Sequence, residues 1–206
     1  MSNLVIQHKG ILFVVSAPSG AGKTTLISSL RQKPDFIYSV SCTTRPPRPG
    51  EVHGEDYFFL GEEEFQRRIA DGDFLEHAEV HGRRYGTLKS TVMAQLERGV
   101  DVLLDVDTLG AESIRNCPDQ FIQEALADVF IMPPGLEELG RRLRRRGTES
   151  EEQIATRLRN AAAEMEKWRD YRYTLISGSM EEDIEKFRAI MRAERYLSRR
   201  LRLEFA

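Results

Sequence analysis

Lys23 and Thr24 stand near the end of the run Ala17-Pro18-Ser19-Gly20-Ala21-Gly22-Lys23-Thr24-Thr25, directly behind the apolar segment 11–15. An apolar strand that stops at a glycine-rich loop and restarts as a helix is a cradle for phosphate. Loop and helix N–H groups surround the anion. Lys23 adds a point charge toward the β- and γ-phosphates, and the Thr24 hydroxyl can reach a Mg2+ ion. The usual spacing is G-x-x-x-x-G-K-[ST]; here Ala17 takes the first glycine position. Alanine fits there wherever φ is negative.

Three further groupings bear on the same chemistry. Asp105 and Asp107 end a buried apolar run, 100–107. A carboxylate at the carboxyl end of a strand beside a phosphate loop is placed to serve a Mg2+ ion. Arg45 and Arg48 lie three apart on the proline-stiffened turn Arg45-Pro46-Pro47-Arg48-Pro49-Gly50. The planar guanidinium fork matches two phosphate oxygens, and proline lowers the entropy lost in fixing it. Downstream come Phe74-Leu75-Glu76-His77-Ala78 and Arg84-Tyr85-Gly86-Thr87. Glu76 can accept from the ring N–H and exocyclic amine of guanine together, a donor pair that adenine lacks. Finally, Arg141, Arg142, Arg144, Arg145 and Arg146 precede Gly147, and Arg157 lies eleven residues beyond Arg146. A hinged helix pair carrying arginines can close over transferring phosphates and exclude water.

These residues need a scaffold, and the remaining sequence describes one. Strands are expected at 11–16, 36–42, 57–60, 74–80, 83–87, 100–107, 128–132 and 173–177, with 11–16 and 100–107 buried. Helices are expected at 24–32, 62–71, 91–98, 109–116, 136–146, 151–168 and, as one long amphipathic element, 181–203. Strands that alternate with helices predict a parallel sheet covered on both faces. The strand-rich stretch 35–90, with the turn at His81-Gly82, breaks that rhythm and reads as an insertion. The 206 residues carry a net charge of −3, so no global basic field points to nucleic acid. Cys42 and Cys117 have no metal-ligand spacing, which predicts a reduced, cytoplasmic chain. No run approaches the ~20 apolar residues of a membrane span. Residues 1–9 lack the apolar core of a signal peptide.

Over 12–196 the chain resembles the guanylate kinases. The motifs that carry the resemblance are residues 16–25, 41–57 (the most specific block), Phe74-Leu75-Glu76-His77-Ala78-Glu79, Tyr85-Gly86-Thr87, Leu104-Asp105-Val106-Asp107, and Arg146-Gly147-Thr148-Glu149-Ser150-Glu151-Glu152. The resemblance implies an α/β phosphate-loop nucleoside monophosphate kinase that converts ATP and GMP to ADP and GDP with Mg2+. It implies a core (1–34, 91–139 and 159–206), a GMP-binding lobe (35–90) and a lid (140–158). Arg45, Arg48, Tyr57 and Tyr85 would hold the GMP phosphate. Ser41, Glu76, Thr87 and Asp105 would read guanine, which gives Asp105 a second possible role beside the metal one. Lys23, Arg146 and Arg157 would stabilise the transferring group, Thr24 would serve the metal, and residues 17–25 with Arg146 and Ser177 would hold ATP. Ser177-Gly178 stands where the family often has Asn-Asp against adenine, and Leu109 where it usually has Gln. Two other readings stay open on the residues alone: another small-molecule kinase, such as one acting on a phosphorylated ribose, and a non-catalytic module that binds phosphorylated peptides.

Overall fold

A computed structural model describes residues 4–80, 82–147 and 150–205. Its centre is a parallel five-stranded sheet. The first strand of the chain, β1 (Leu4–His8), lies outside that sheet; β2 (Leu12–Ser16) is its middle strand and is wholly buried. Alternate residues of β2 enter opposite cores, as the two-residue strand period requires. Phe13 and Val15 pack with Leu26, Ile27 and Leu30 of α1 (Lys23–Arg31). Leu12 and Val14 pack on the other side with Val92, Leu96, Ala111, Ile114, Ile122 and Ala125. The continuous apolar run of β2 therefore reflects helices on both faces.

The chain leaves the core through β3 (Ile37–Tyr38) and enters a second, four-stranded sheet at β4 (Cys42–Thr43). That sheet also contains β5 (Phe58–Phe59), β6 (Phe74–Val80) and β7 (Arg83–Leu88), in the order β5-β4-β7-β6. Helix α2 (Glu62–Ala70) caps it, with buried Phe65 stacked 4.5 Å from Phe74. The single strand expected at 36–42 is thus two short strands in two sheets. Ser39 still donates to the Leu103 carbonyl of the core, and the chain then crosses over. Apolar content alone cannot say which sheet a short run joins.

The return path supplies α3 (Lys89–Glu97), β8 (Val102–Asp105), α4 (Thr108–Arg115), α5 (Gln120–Ala125) and β9 (Leu126–Met132). Helix α5 was not anticipated. Asp119 announces it, accepting from the Phe121 N–H at 3.0 Å as an N-cap. Then come α6 (Leu136–Arg146), α7 (Glu151–Met165), a 3-10 turn (Glu166–Asp170), β10 (Tyr173–Ile176) and α8 (Met180–Arg195). The core order is β10-β9-β2-β8-β3.

The long terminal helix expected to reach 203 ends at Arg195. A 3-10 turn (Ser198–Arg200) leads to β11 (Leu201–Phe205), which pairs antiparallel with β1. The helical pattern is overridden by Arg200, which is buried against Glu194 and donates to the carbonyls of Glu124 and Ala125 at 2.8 and 3.1 Å. A helix continuing past Tyr196 could not place that guanidinium there. No helix among the described residues is long and apolar enough to cross a membrane.

Candidate active site

The carboxyl ends of β2, β8 and β10 open on one side of the core sheet, where open α/β sheets take ligands. After β2 the phosphate loop turns through two left-handed glycines. Gly20 has φ 90°, and a Cβ there would stand 2.9 Å from Leu143 of α6. Gly22 has φ 102° and starts α1 with no side-chain cap, which leaves the first helical N–H groups to a ligand. Ala17 is buried in the core at the strand end. Residues 17–24 face a cleft of about 490 Å³ that Asp107, Arg157, Asn160 and Glu164 close from the other side. Arg157 donates to Ser19 Oγ at 3.4 Å, and the Ser19 N–H donates to Glu164 at 3.3 Å. Burial pushes the Glu164 carboxyl up.

A second cleft, of about 310 Å³, lies between the two sheets. Strands β6 and β7 and the β4–β5 connection supply Glu76, Tyr85 and Tyr57; Ser41 comes from the crossover, and Asp105 and Asp107 follow β8. Glu76 is 7% exposed and accepts the Thr87 hydroxyl at 2.6 Å. Burial, reinforced by the nearby Asp107 charge, pushes its carboxyl up to about 7 against the pull of Thr87. Asp107 is held in place by its Oδ1, which caps α4 at the Gly110 N–H, 2.7 Å away. Lys23 reaches into this cleft, with Nζ donating to Asp105 and, at 3.0 Å, to the Val106 carbonyl.

At the rim, the Tyr57 and Tyr85 rings meet edge-on at 6.0 Å, and the Arg45 guanidinium lies 5.3 Å over Tyr57. Glu51 grips Arg45 at 2.8 Å and accepts the Arg48 backbone N–H at 2.7 Å. Glu51 therefore orders the arginine turn, a role the sequence reading did not assign. Arg48 itself is exposed on the turn and does not line the cleft.

The third element is the arginine helix. Leu139 and Leu143 of α6 pack with Ile154 of α7, so the two helices form one small apolar unit over the loop. Arg142 connects them to the core: it donates to the Ala21 carbonyl at 3.1 Å and to Ser177 Oγ at 3.3 Å, while Glu138 holds its Nε at 2.9 Å. Ser177 donates in turn to buried Asp183 at 2.9 Å. With Thr25, these residues enclose a further recess of about 320 Å³. Arg146 ends α6, and its side chain lies outside the described residues, as do His81, Thr148 and Glu149.

The structure thus brings Ser41, Tyr57, Glu76, Thr87, Tyr85, Arg45 and Asp105 together around one cleft. It places Lys23 where that cleft meets the loop, and Thr24 and Arg157 along the loop. Asp107, expected beside Asp105 at the strand end, lines both clefts; Glu51, Asp183 and Tyr38, which lines the second cleft, carried no assignment from the sequence, and Arg142 was expected only as one of the arginine run. Arg142 had a signal: it follows Glu138 by four residues inside the arginine run, the spacing of a helical ion pair.

A family model described as guanylate kinase matches residues 9–194. A guanylate kinase of Sphingopyxis alaskensis is 48% identical over 199 residues, covering 95% of this chain and 87% of the relative. That of Escherichia coli K12 is 48% identical over 190 residues, with 91% and 89% covered. The crystal structure of guanylate kinase from Anaplasma phagocytophilum superposes with a TM-score of 0.77 at 34% identity, covering 96% of this chain and 92% of that one. Sequence and architecture agree, and the chain belongs to the guanylate kinase family.

Proposed function

We propose that GMP occupies the cleft between the two sheets and that ATP runs from the phosphate loop to the recess at Ser177. Their phosphates then meet at Lys23. The reaction is transfer of the γ-phosphoryl of ATP to GMP. An oxygen of the GMP phosphate bonds to the γ-phosphorus, the bond from that phosphorus to the β-bridging oxygen breaks, and ADP leaves with GDP formed. The acceptor is already an oxyanion, so alignment and charge neutralisation carry the catalysis.

The observation that carries this reading is the buried carboxylate of Glu76, held by Thr87 on one wall while Asp105 stands on the other. In its ionised form Glu76 accepts from the amidine edge of guanine, and Ser41, Thr87 and Asp105 complete the ring of polar groups. Tyr57, Tyr85 and Arg45 take the GMP phosphate at the rim, and Arg48 swings in from the turn. Lys23, Arg157 and Arg146 neutralise the transferring group. The loop residues Ala17, Pro18, Ser19, Gly20, Ala21, Gly22, Thr24 and Thr25 bind the donor phosphates, with Ser177 and Arg142 at its base.

Among the described residues no group of three or more His, Cys, Asp or Glu is assembled for a metal. Mg2+ takes few protein ligands and relies on phosphate and water oxygens, and the Thr24 hydroxyl, lining the loop cleft, is of the oxygen type it accepts. Thr24 would hold it, and it would offset the triphosphate charge.

Residues 35–90 act as the GMP-binding lobe, 140–158 as the lid and the rest as core. The arginine run supports a lid rather than a nucleic-acid surface, because Arg141, Arg142 and Arg144 are engaged by Glu138 and Glu151. The two unpaired cysteines support action in the cytoplasm. Titration of GMP into wild type and Glu76→Gln, followed by the same titration with ATP, tests the assignment. The variant is expected to lose GMP affinity and keep ATP affinity. Equal losses would overturn it.

A further inference from the structure

Lys23 belongs to two sites at once. It is the first residue of α1, and it borders both the loop cleft and the cleft between the sheets. Its ammonium is turned to the second of these, where Nζ donates to Asp105 and to the Val106 carbonyl. Lys23 is the one cation among the described residues lining that cleft, and it faces three carboxylates there: Glu76, Asp105 and Asp107. Of these, Glu76 is already held by Thr87 and Asp107 by the Gly110 N–H. Asp105 borders the acceptor cleft and not the loop cleft, and its own described side-chain partner is Lys23.

Both side chains are only 20% exposed. Drawing Lys23 away toward a triphosphate would strand a largely covered carboxylate, which is costly unless another donor replaces the ammonium. A guanine edge is such a donor. Its ring N–H and exocyclic amine can satisfy carboxylates without bringing a charge. The exchange then conserves hydrogen bonds at Asp105 and frees one ammonium for the phosphates.

We infer that Asp105 is a positioning residue for Lys23, holding the ammonium off the phosphate loop until acceptor binding releases it, so that the acceptor and donor sites are positively coupled through this pair. The inference rests on the reading of the cleft as the guanine site. Coupling of this kind is reciprocal: what GMP does for the donor, the donor does for GMP. It also bears on fidelity. Without acceptor, a bound donor meets a loop whose lysine is engaged elsewhere, which disfavours transfer to water.

The test is calorimetric titration of the Mg2+ complex of adenylyl imidodiphosphate, a donor that does not turn over, with and without saturating GMP. In wild type, GMP tightens the analogue by about fivefold or more, within the usual span of coupling between sites. Asp105→Asn removes the charge that holds Lys23. The variant binds the analogue severalfold tighter than wild type when GMP is absent, and GMP then changes its affinity less than twofold. An analogue affinity equal to or weaker than that of wild type without GMP overturns the inference, as does undiminished coupling. Glu76→Gln separates this from the parent reading: it weakens GMP while leaving the analogue's affinity in the absence of GMP unchanged. If GMP does not bind in a Glu76-dependent way, the site assignment fails first. A second measurement needs no variant at Asp105. In wild type, GMP alone shifts the Lys23 Nζ resonance, and no shift on GMP saturation overturns the release step.

Discussion

The two nucleotide clefts are built by different means. The acceptor cleft gathers polar groups already committed to one another: buried Glu76 with buried Thr87, half-buried Asp105 with Lys23, Asp107 with the Gly110 N–H and, at the rim, Arg45 with Glu51. The base end of the donor cleft rests on Arg142, reaching down from a helix, and on a single hydroxyl, Ser177, that Asp183 already occupies. A buried polar ring rejects a wrong base strongly, because a mismatch leaves its groups unpaired. A single hydroxyl and one guanidinium, with few groups to leave unpaired, reject weakly. On the proposed assignment, selectivity lies with the acceptor cleft, and the donor cleft asks only for phosphates and a planar base.

That contrast can be broken or sharpened by substitution. Lys23 serves both clefts, so Lys23→Met is expected to have the largest effect, lowering kcat/KM by about 10^3 or more in steady-state assays, as for other preorganised charges at a transferring phosphoryl group. Arg48 is exposed on its turn outside the cleft, and on the proposal that it closes on substrate, Arg48→Ala should lower kcat/KM by at least ~10^2. Near-normal turnover would remove it from the mechanism. Glu76→Gln should weaken GMP by roughly 10- to 100-fold, the cost of a hydrogen bond to a buried charge. Arg142→Ala should raise the ATP KM by about tenfold or less, the value of one ordinary contact, with the GMP KM unchanged. If Arg142→Ala proves more damaging than Glu76→Gln, the two clefts do not differ as argued.

Acidity sharpens the same contrast. Burial holds the Glu76 carboxyl at about 7, above its ordinary value of 4.5. Between those values the folded chain binds a proton that the unfolded chain does not, so the contribution of Glu76 to stability falls as pH rises through that window. Guanine recognition asks for the carboxylate. GMP affinity should therefore rise with pH up to about 7 and then level off, with proton release on binding below that pH. Because the GMP phosphate also titrates, the readout is the difference between wild type and Glu76→Gln measured in buffers of different ionisation enthalpy. A flat difference would show that Glu76 enters the complex already ionised.

Much of this was legible in the sequence for a physical reason. The phosphate loop is a local device: neighbouring residues make both the turn and the site, so Gly20, Gly22, Lys23 and Thr24 announce it. The core strands are legible because burial on both faces leaves continuous apolar runs, as in β2. The failures lie where distant contacts decide. Helix α8 stops because Arg200 must reach Glu194 and the carbonyls of Glu124 and Ala125, which no local pattern encodes. The run 36–42 divides because its two ends pair with different sheets. Asp105 was legible as a site residue, but its role was open between metal and base. The sequence held no sign that its carboxylate faces Lys23 across the junction of the clefts.

The most direct test of the account is a comparison of acceptors in one assay, with GMP, AMP, UMP and CMP offered side by side to the wild-type enzyme at saturating ATP. A ring of polar groups around buried Glu76 and Thr87, matched to guanine, predicts kcat/KM for GMP above that for AMP by about 10^4. Turnover of AMP within about tenfold of GMP would contradict the assignment of Glu76 and Asp105 to the acceptor base, whatever the phosphate loop does.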